Sequence, residues 1–382
     1  MSEIRVDSIG NESNTGGPVL SGITTFSGQQ YFIPPKGTTA ERPSDCPPGS
    51  IRFNTDSAHL EYWQGTVWLE FEASSEELGG GNAGIGTTNS PQGTSNRVVF
   101  AGGYTPGLTR KIDYISISTL GDAQDFGDMT ADFRSSGQCA SRTIGLMGGG
   151  FTTGNLNDID RIIIASTGDA VDTGGDLTVP RHNIGSCSNQ TRGIFSGGVD
   201  PASNATVDYV EIASNGDAVD FGDLIAAIQG TSNFSSSIRG LAMGGTGDST
   251  NVIQYVTLST TGNTQDFGDL TAEGNCAGAS SNATRGVYAG RTGTNNAIDF
   301  MTIATTGNAQ DFGDLTLART GTSAGASPTR GVFAGGQNPD GKHHTIDYIE
   351  FASTGNAKDF GDLNQARSYG YGGMSNGHGG LS

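Results

Sequence analysis

Large apolar side chains in this chain come in short alternating runs set between glycine, serine and asparagine, which is the pattern of strands and tight turns. The run Arg330-Gly-Val-Phe-Ala-Gly-Gly336 is followed, after a polar loop, by Ile346-Asp-Tyr-Ile-Glu-Phe-Ala352. A Ser353-Thr-Gly-Asn356 turn and the segment Lys358-Asp-Phe-Gly-Asp-Leu363 come next, and a Gly/Ser/Ala-rich stretch leads to the following arginine in the other copies. Four short strands per copy are predicted.

The copies keep step. The second Asp of the Asp-Phe-Gly-Asp-Leu segment falls at Asp128, Asp176, Asp223, Asp269, Asp314 and Asp362, with separations of 48, 47, 46, 45 and 48 residues. That period belongs to one four-stranded blade of a kelch-like β-propeller. The expected fold is therefore all-β, a six-bladed propeller over 97–382. The array begins on the Arg97 strand with no good Gly/Ser/Ala strand before it and ends on such a strand at Ser368-Tyr-Gly-Tyr-Gly-Gly-Met-Ser375. The C-terminus should thus supply the missing first strand of the first blade and close the ring, leaving no unpaired edge.

A different module precedes the array. Both tryptophans, Trp63 and Trp68, lie in residues 1–75, and Ser50 to Phe71 reads as two or three short strands around a Gln64-Gly65 turn. Residues 76–96 have almost no large apolar side chain and read as a linker.

The composition, 62 glycines with 34% hydrophobic residues in 382, suits short strands better than long helices. A net charge of -19 argues against bulk-charge binding to nucleic acid or to an anionic membrane. No long apolar run and no basic, then apolar, leader is seen, so neither membrane insertion nor secretion by a standard signal is expected. Cys46, Cys139, Cys187 and Cys276 form no paired motif, and buried free thiols are expected in the repeats.

Residues that obey the repeat are read as architectural. Arg97, Arg142, Arg192, Arg239, Arg285 and Arg330 head the second strand of each copy and suggest a ring of clamps to Asp or to backbone carbonyls. The motif Phe (Phe126, Phe221, Phe267, Phe312, Phe360) and the Leu or Met three places on have opposite strand parity. A bulge at the intervening Gly would bury both. The second copy carries Thr173 and an extra Gly, so its core should be weaker. The paired Asp residues fit turn-forming hydrogen bonds better than a cation site. Nearly all acids obey the repeat, whereas catalysis needs carboxylates in distinct environments. His182, His343, His344 and His378 form no metal or triad pattern, so no enzyme, metal or cofactor is expected.

Two stretches carry a resemblance. Gly37-Thr-Thr-Ala-Glu-Arg-Pro43, Pro47-Pro-Gly-Ser-Ile-Arg-Phe-Asn-Thr-Asp56 and Leu60-Glu-Tyr-Trp-Gln-Gly-Thr-Val-Trp68 resemble a module near the start of fibre-like phage structural proteins. The repeat seen best from Thr306 to Leu315 and from Thr354 to Leu363 is similar to repeats in virion appendage proteins of tailed bacteriophages, in particular of cyanobacterial phages. The resemblance implies a virion protein assembled in the host cytoplasm, commonly a homotrimer. Its N-terminal module would bind other virion proteins and its distal part would face a host glycan or protein. A neck or capsid decoration protein that only packs on other subunits is the alternative, and a glycan-cleaving appendage a third. Loops between second and third strands vary most and are the candidate binding surface. Their candidates are Tyr104, Arg110, Asn155, Asn204, Asn251, Asn295, Lys342, His343 and His344.

Overall fold

The computed structural model describes residues 34–57, 59–70, 96–246, 251–293, 295–370 and 372–381. The chain divides into two compact units, Met1–Gly84 and Ile85–Ser382. Of the stretch read as a linker, only Asn96 is among the described residues.

In the first unit the strands Ile51–Asn54, His59–Trp63 and Trp68–Glu70 form an antiparallel sheet turned at Gly65, whose φ of 112° favours glycine. A two-residue strand, Lys36–Gly37, adds in parallel to the first of these and was not anticipated. One face is polar and buried. Arg42 Nε and Nη2 donate to Glu61 Oε2 at 2.9 and 2.6 Å, Arg52 pairs with Glu61 Oε1 at 3.3 Å, and Asn54 Nδ2 donates to Glu61 at 3.2 Å. Burial alone would raise the Glu61 carboxyl, but these bonds outweigh it and hold it below the usual range. The alternate residues Ile51, Leu60 and Leu69 stand on the other face, 51%, 42% and 37% exposed.

The second unit is all β, with no α-helix among its described residues. It contains six four-stranded antiparallel sheets, five of them simple meanders. Sheet 2 is Gly137–Ala140, Ile144–Phe151, Asn155–Ile163 and Val171–Asp176. Sheet 3 is Gly185–Ser188, Arg192–Ser196, Asn204–Glu211 and Val219–Ile228. Sheet 4 is Ser232–Ser235, Arg239–Met243, Val252–Thr257 and Gln265–Asp269. Sheet 5 is Gly278–Ser281, Arg285–Ala289, Ala297–Thr302 and Gln310–Asp314. Sheet 6 is Ser323–Ala326, Arg330–Ala334, Thr345–Glu350 and Lys358–Asp362. Sheet 1 takes Arg97–Ala101, Lys111–Ser116 and Gln124–Asp128 from the start of the unit and Met374–Ser375 from its end, paired as Met374 with Val99 and Ser375 with Val98.

Each sheet shares a core with the next. Phe126 and Met129 of sheet 1 pack with Met147 and Ile162 of sheet 2, and Phe360 and Leu363 of sheet 6 pack with Val98 and Ile115 of sheet 1. Phe126 and Met129 are both buried because the register slips between Ile112 and Asp113, leaving Phe126 as the extra residue of a bulge; the same slip recurs in sheets 3, 4, 5 and 6.

The repeated motif is a latch between sheets. The Asp128 N–H donates to Asp169 Oδ1 of the following sheet at 2.9 Å, and the Asp362 N–H donates to Asp122 Oδ1 of sheet 1 at 3.0 Å. The equivalent bonds reach Asp217, Asn263, Asn308 and Asn356. The motif glycine lets the two backbones touch. A Cβ on Gly313 would lie 2.5 Å from the Gly355 carbonyl oxygen.

The strand-head arginines clamp backbone, not the motif Asp, which is exposed in every sheet. Arg97 Nη1 donates to the carbonyls of Ile164 and Ala165, Arg239 to those of Ile303 and Ala304, and Arg330 to those of Ile117 and Ser118. Arg192 and Arg285 reach Leu258 and Phe351. All five lie over an aromatic ring of their own sheet, 4.7 Å for Arg97 on Tyr114, and that ring meets the motif Phe edge-on. Arg142 is a correction. The pairing of Met147 with Asp160, where sheet 1 pairs Phe100 with Asp113, places Ile144 at the ring position, two residues on. Arg142 instead donates to the Leu381 carbonyl at the C-terminus. Arg161 takes the aromatic position, and Thr173 stands where Phe is expected, so sheet 2 lacks the whole stack.

A second arginine set went unread in the sequence. Arg181 pairs with Asp208, Arg291 with Asp299, Arg319 with Asp347 and Arg367 with Asp113, at 2.9, 2.8, 2.9 and 3.2 Å, all buried. Burial pushes the Arg181, Arg319 and Arg367 guanidinium groups below their usual value, against the pull of the paired Asp.

Candidate functional site

The segments that join one sheet to the next end in a left-handed residue just before each first strand: Ser135, Asn183, Gly230, Cys276, Gly321 and Tyr369, with φ from 55° to 73°. Four are not glycine, and that conformation costs an ordinary residue on the order of 1 kcal/mol. A circuit of backbone bonds holds them. The Asn183 N–H donates to Ser135 O at 2.9 Å, Gly230 to Asn183 at 2.9 Å, Cys276 to Gly230 at 3.0 Å, Gly321 to Cys276 at 2.7 Å, Tyr369 to Gly321 at 3.0 Å, and Ser135 to Tyr369 at 3.1 Å. The sixth bond returns to the first residue.

Around this circuit stand the residues that precede it and those that follow the paired glycines of each second strand. They meet as isolated bridges: Arg134 with Phe151, His182 with Val199, Gln229 with Thr246, Thr320 with Gln337, and Ser368 with Tyr104. The backbone repeats six times here and the side chains do not. One half of the mouth holds the large ones. The Arg134 guanidinium lies 5.2, 5.6 and 5.8 Å from the ring centres of Tyr104, Phe151 and Tyr369. Lys342 Nζ sits 3.9 Å over the Tyr104 ring and donates to the Thr105 carbonyl. His182 packs on Phe151 at 4.9 Å, and its Nδ1 contacts Asn155 Oδ1 at 2.7 Å while Asn155 Nδ2 donates to Asp200 at 2.9 Å.

The mouth carries positive charge on an acidic protein. Among the described residues neither Arg134 nor Lys342 forms an ion pair, and Arg134 Nε is buried without a hydrogen-bond partner. Burial, and then the Arg134 charge, lower the proton affinity of both Lys342 and His182. Cations stacked on rings, with amide groups beside them, can hold an anion and a flat polar ring.

Of the loop residues singled out from the sequence, Tyr104, Asn155 and Lys342 come together here. Arg110 pairs instead with Asp132 at 3.0 Å on the surface, and His344 with Asp362 at 3.3 Å. Asn204 and Asn295 bond the backbone N–H groups of Thr206 and Ala297, which makes them turn residues. His343 lies partly buried, with burial lowering its proton affinity. Asn251 follows 247–250, which lie outside the described residues, and its carbonyl accepts from Leu270. Arg134, Phe151, His182 and Tyr369 were not singled out. They come from the joining segments and strand ends of sheets 1, 2 and 6.

The opposite end of the first strands is covered by the chain's own tail. His378 Nε2 bonds the Ala140 carbonyl at 2.8 Å, and the Gly380 N–H donates to His378 Nδ1 at 3.1 Å. Burial lowers the His378 pKa to about 4. A second concavity opens on the outer side of sheet 2, between Arg161, Val171, Asp169 and Asn215, where the Arg, Tyr and Phe of the stack are missing. Its one cation is already bonded, Arg161 to Asn215 at 2.7 Å. Cys139 and Cys187 are buried free thiols, pushed up by burial, whereas Cys46 and Cys276 are partly exposed. No protein-family model and no curated protein matches the chain.

Proposed function

We propose that residues 97–382 form a closed six-bladed β-propeller, and that it serves as the recognition module of a tailed-phage fibre or related virion appendage. The sheet-to-sheet latches, the shared cores and the circuit through Ser135 and Tyr369 support the propeller. The virion setting rests on the resemblance of the N-terminal module and the repeat. The observation that carries a recognition role is the gathering of Arg134, Lys342, Tyr104, Phe151, His182 and Tyr369 at one mouth, where the side chains depart from the repeat and, among the described residues, neither Arg134 nor Lys342 meets an acid. No catalytic step enters this reading. The first unit would attach the protein to other virion subunits, as a trimer, and the exposed Ile51, Leu60 and Leu69 face supports such an attachment. The test is retention of labelled full-length chain on a panel of candidate host cells. Retention that falls when Tyr104→Ala and Lys342→Ala are introduced supports the reading; retention on no host, by a chain of unchanged melting temperature, sinks it.

A further inference from the structure

We propose that the aromatic and basic half of this mouth binds the carboxylate of an acidic sugar in a surface polysaccharide, an inference that rests on the recognition reading above.

Each buried arginine near this end has its acid, Arg181, Arg291, Arg319 and Arg367 all facing an Asp, whereas the half-buried Arg134 has none. Arg134 follows Phe133, which stands where Arg181, Arg319 and Arg367 stand in their segments, and it turns to three rings with no carboxylate in range. Ring stacking occupies the flat faces of a guanidinium and leaves its edge, where a carboxylate binds with two parallel hydrogen bonds. Lys342 adds a second cation from a different sheet, across the Tyr104 ring.

The rest of the protein limits what that anion can belong to. A net charge of -19 repels an extended polyanion, whereas one isolated charge is governed by groups within a screening length of about 8 Å. The ligand therefore carries its negative charge on an otherwise neutral, hydroxyl-bearing frame. Asn155 and Gln337 brace the site instead, Asn155 Nδ2 donating to Asp200 and Gln337 Nε2 to the Tyr369 hydroxyl.

The test uses the full chain, with the single-carboxylate methyl glycosides of galacturonate, of mannuronate and of N-acetylneuraminate, each beside its carboxyl-reduced form, in calorimetric titrations. At least one acid form should bind about tenfold tighter than its reduced form, as expected for one charge-assisted bidentate contact. Arg134→Gln should remove that preference. Lys342→Gln, on a surface hairpin and so without risk to folding, should reduce it, and inorganic phosphate or acetate should compete only at far higher concentration. Equal affinity for acid and reduced forms, binding of none of the three acids, or a preference that survives both substitutions overturns the inference. If cells still retain the chain in those cases, the recognition reading stands without the anion; if they do not, both fall.

Discussion

Arg319 and Asp347 meet at 2.9 Å with neither side chain exposed, and sheet 4 shows what the pair replaces. There Ile228 occupies the arginine position and Gln254 the aspartate position, so the two changes occur together. Arg319→Ile alone should cost about 3–5 kcal/mol because it strands a buried carboxylate. Arg319→Ile with Asp347→Gln should recover most of that loss, read as midpoints of thermal and denaturant unfolding. A double variant as unstable as the single would contradict the pairing.

Asp160 presents the opposite case, an acid whose arginine is missing. Phe133 stands in its place, Asp160 Oδ1 has no partner, and burial raises the carboxyl above its usual value. A raised folded-state pKa means that the charged form costs stability above the usual carboxylate range, and that the cost fades as pH falls. Asp160→Asn should therefore raise the melting temperature at neutral pH, by about 1 kcal/mol equivalent, with a gain that shrinks in acid. The Asn oxygen can still accept from Thr130.

Arg285 binds the Phe351 carbonyl at 2.8 Å and stacks on Phe300 at 5.1 Å. Arg285→Met should lower stability by about 1–2 kcal/mol while leaving any ligand affinity alone. An unchanged melting temperature would count against the clamp.

The two glycines of one latch separate strain from collision. Gly355, with φ of 155°, has open space where a Cβ would stand, so Gly355→Ala should cost about 1 kcal/mol of backbone strain. Gly313→Ala drives a Cβ into the Gly355 carbonyl and should cost roughly 3 kcal/mol or more. Equal costs would mean that the sheets can slide apart freely.

His378 should make stability fall with acid. The unfolded chain takes up a proton near 6.5 that the folded tail refuses until about 4, so stability is full above the upper value and declines through that window. His378→Gln should flatten this part of the profile in a melting-temperature series. A parallel profile would place the titrating group elsewhere.

Strand order, repeat length, the bulge at the motif glycine and the C-terminal strand were legible because each is fixed by local pattern. The second sheet was misread by two residues because Gly148, Gly149 and Gly150 offer several ways to align one glycine pair, and only the partner strand fixes the register. The buried Arg–Asp set left a signal, an arginine four residues after the motif leucine at Leu177, Leu315 and Leu363, but its meaning depends on which aspartate faces it. The mouth cluster could not be read at all. Arg134, Tyr369 and Lys342 are far apart in sequence, and only the return of the last sheet to the first brings them to Tyr104.

The pairing of Met374 with Val99 also sets when the unit can be finished. The edge of Arg97–Ala101 stays bare until Met374 and Ser375 have left the ribosome. A product cut short by a frameshift or by proteolysis keeps most of its residues but lacks the strand that covers this edge and the tail held by Arg142. Such fragments would carry a bare strand edge open to mispairing, which makes Met374–Ser375 a check on the integrity of the copy.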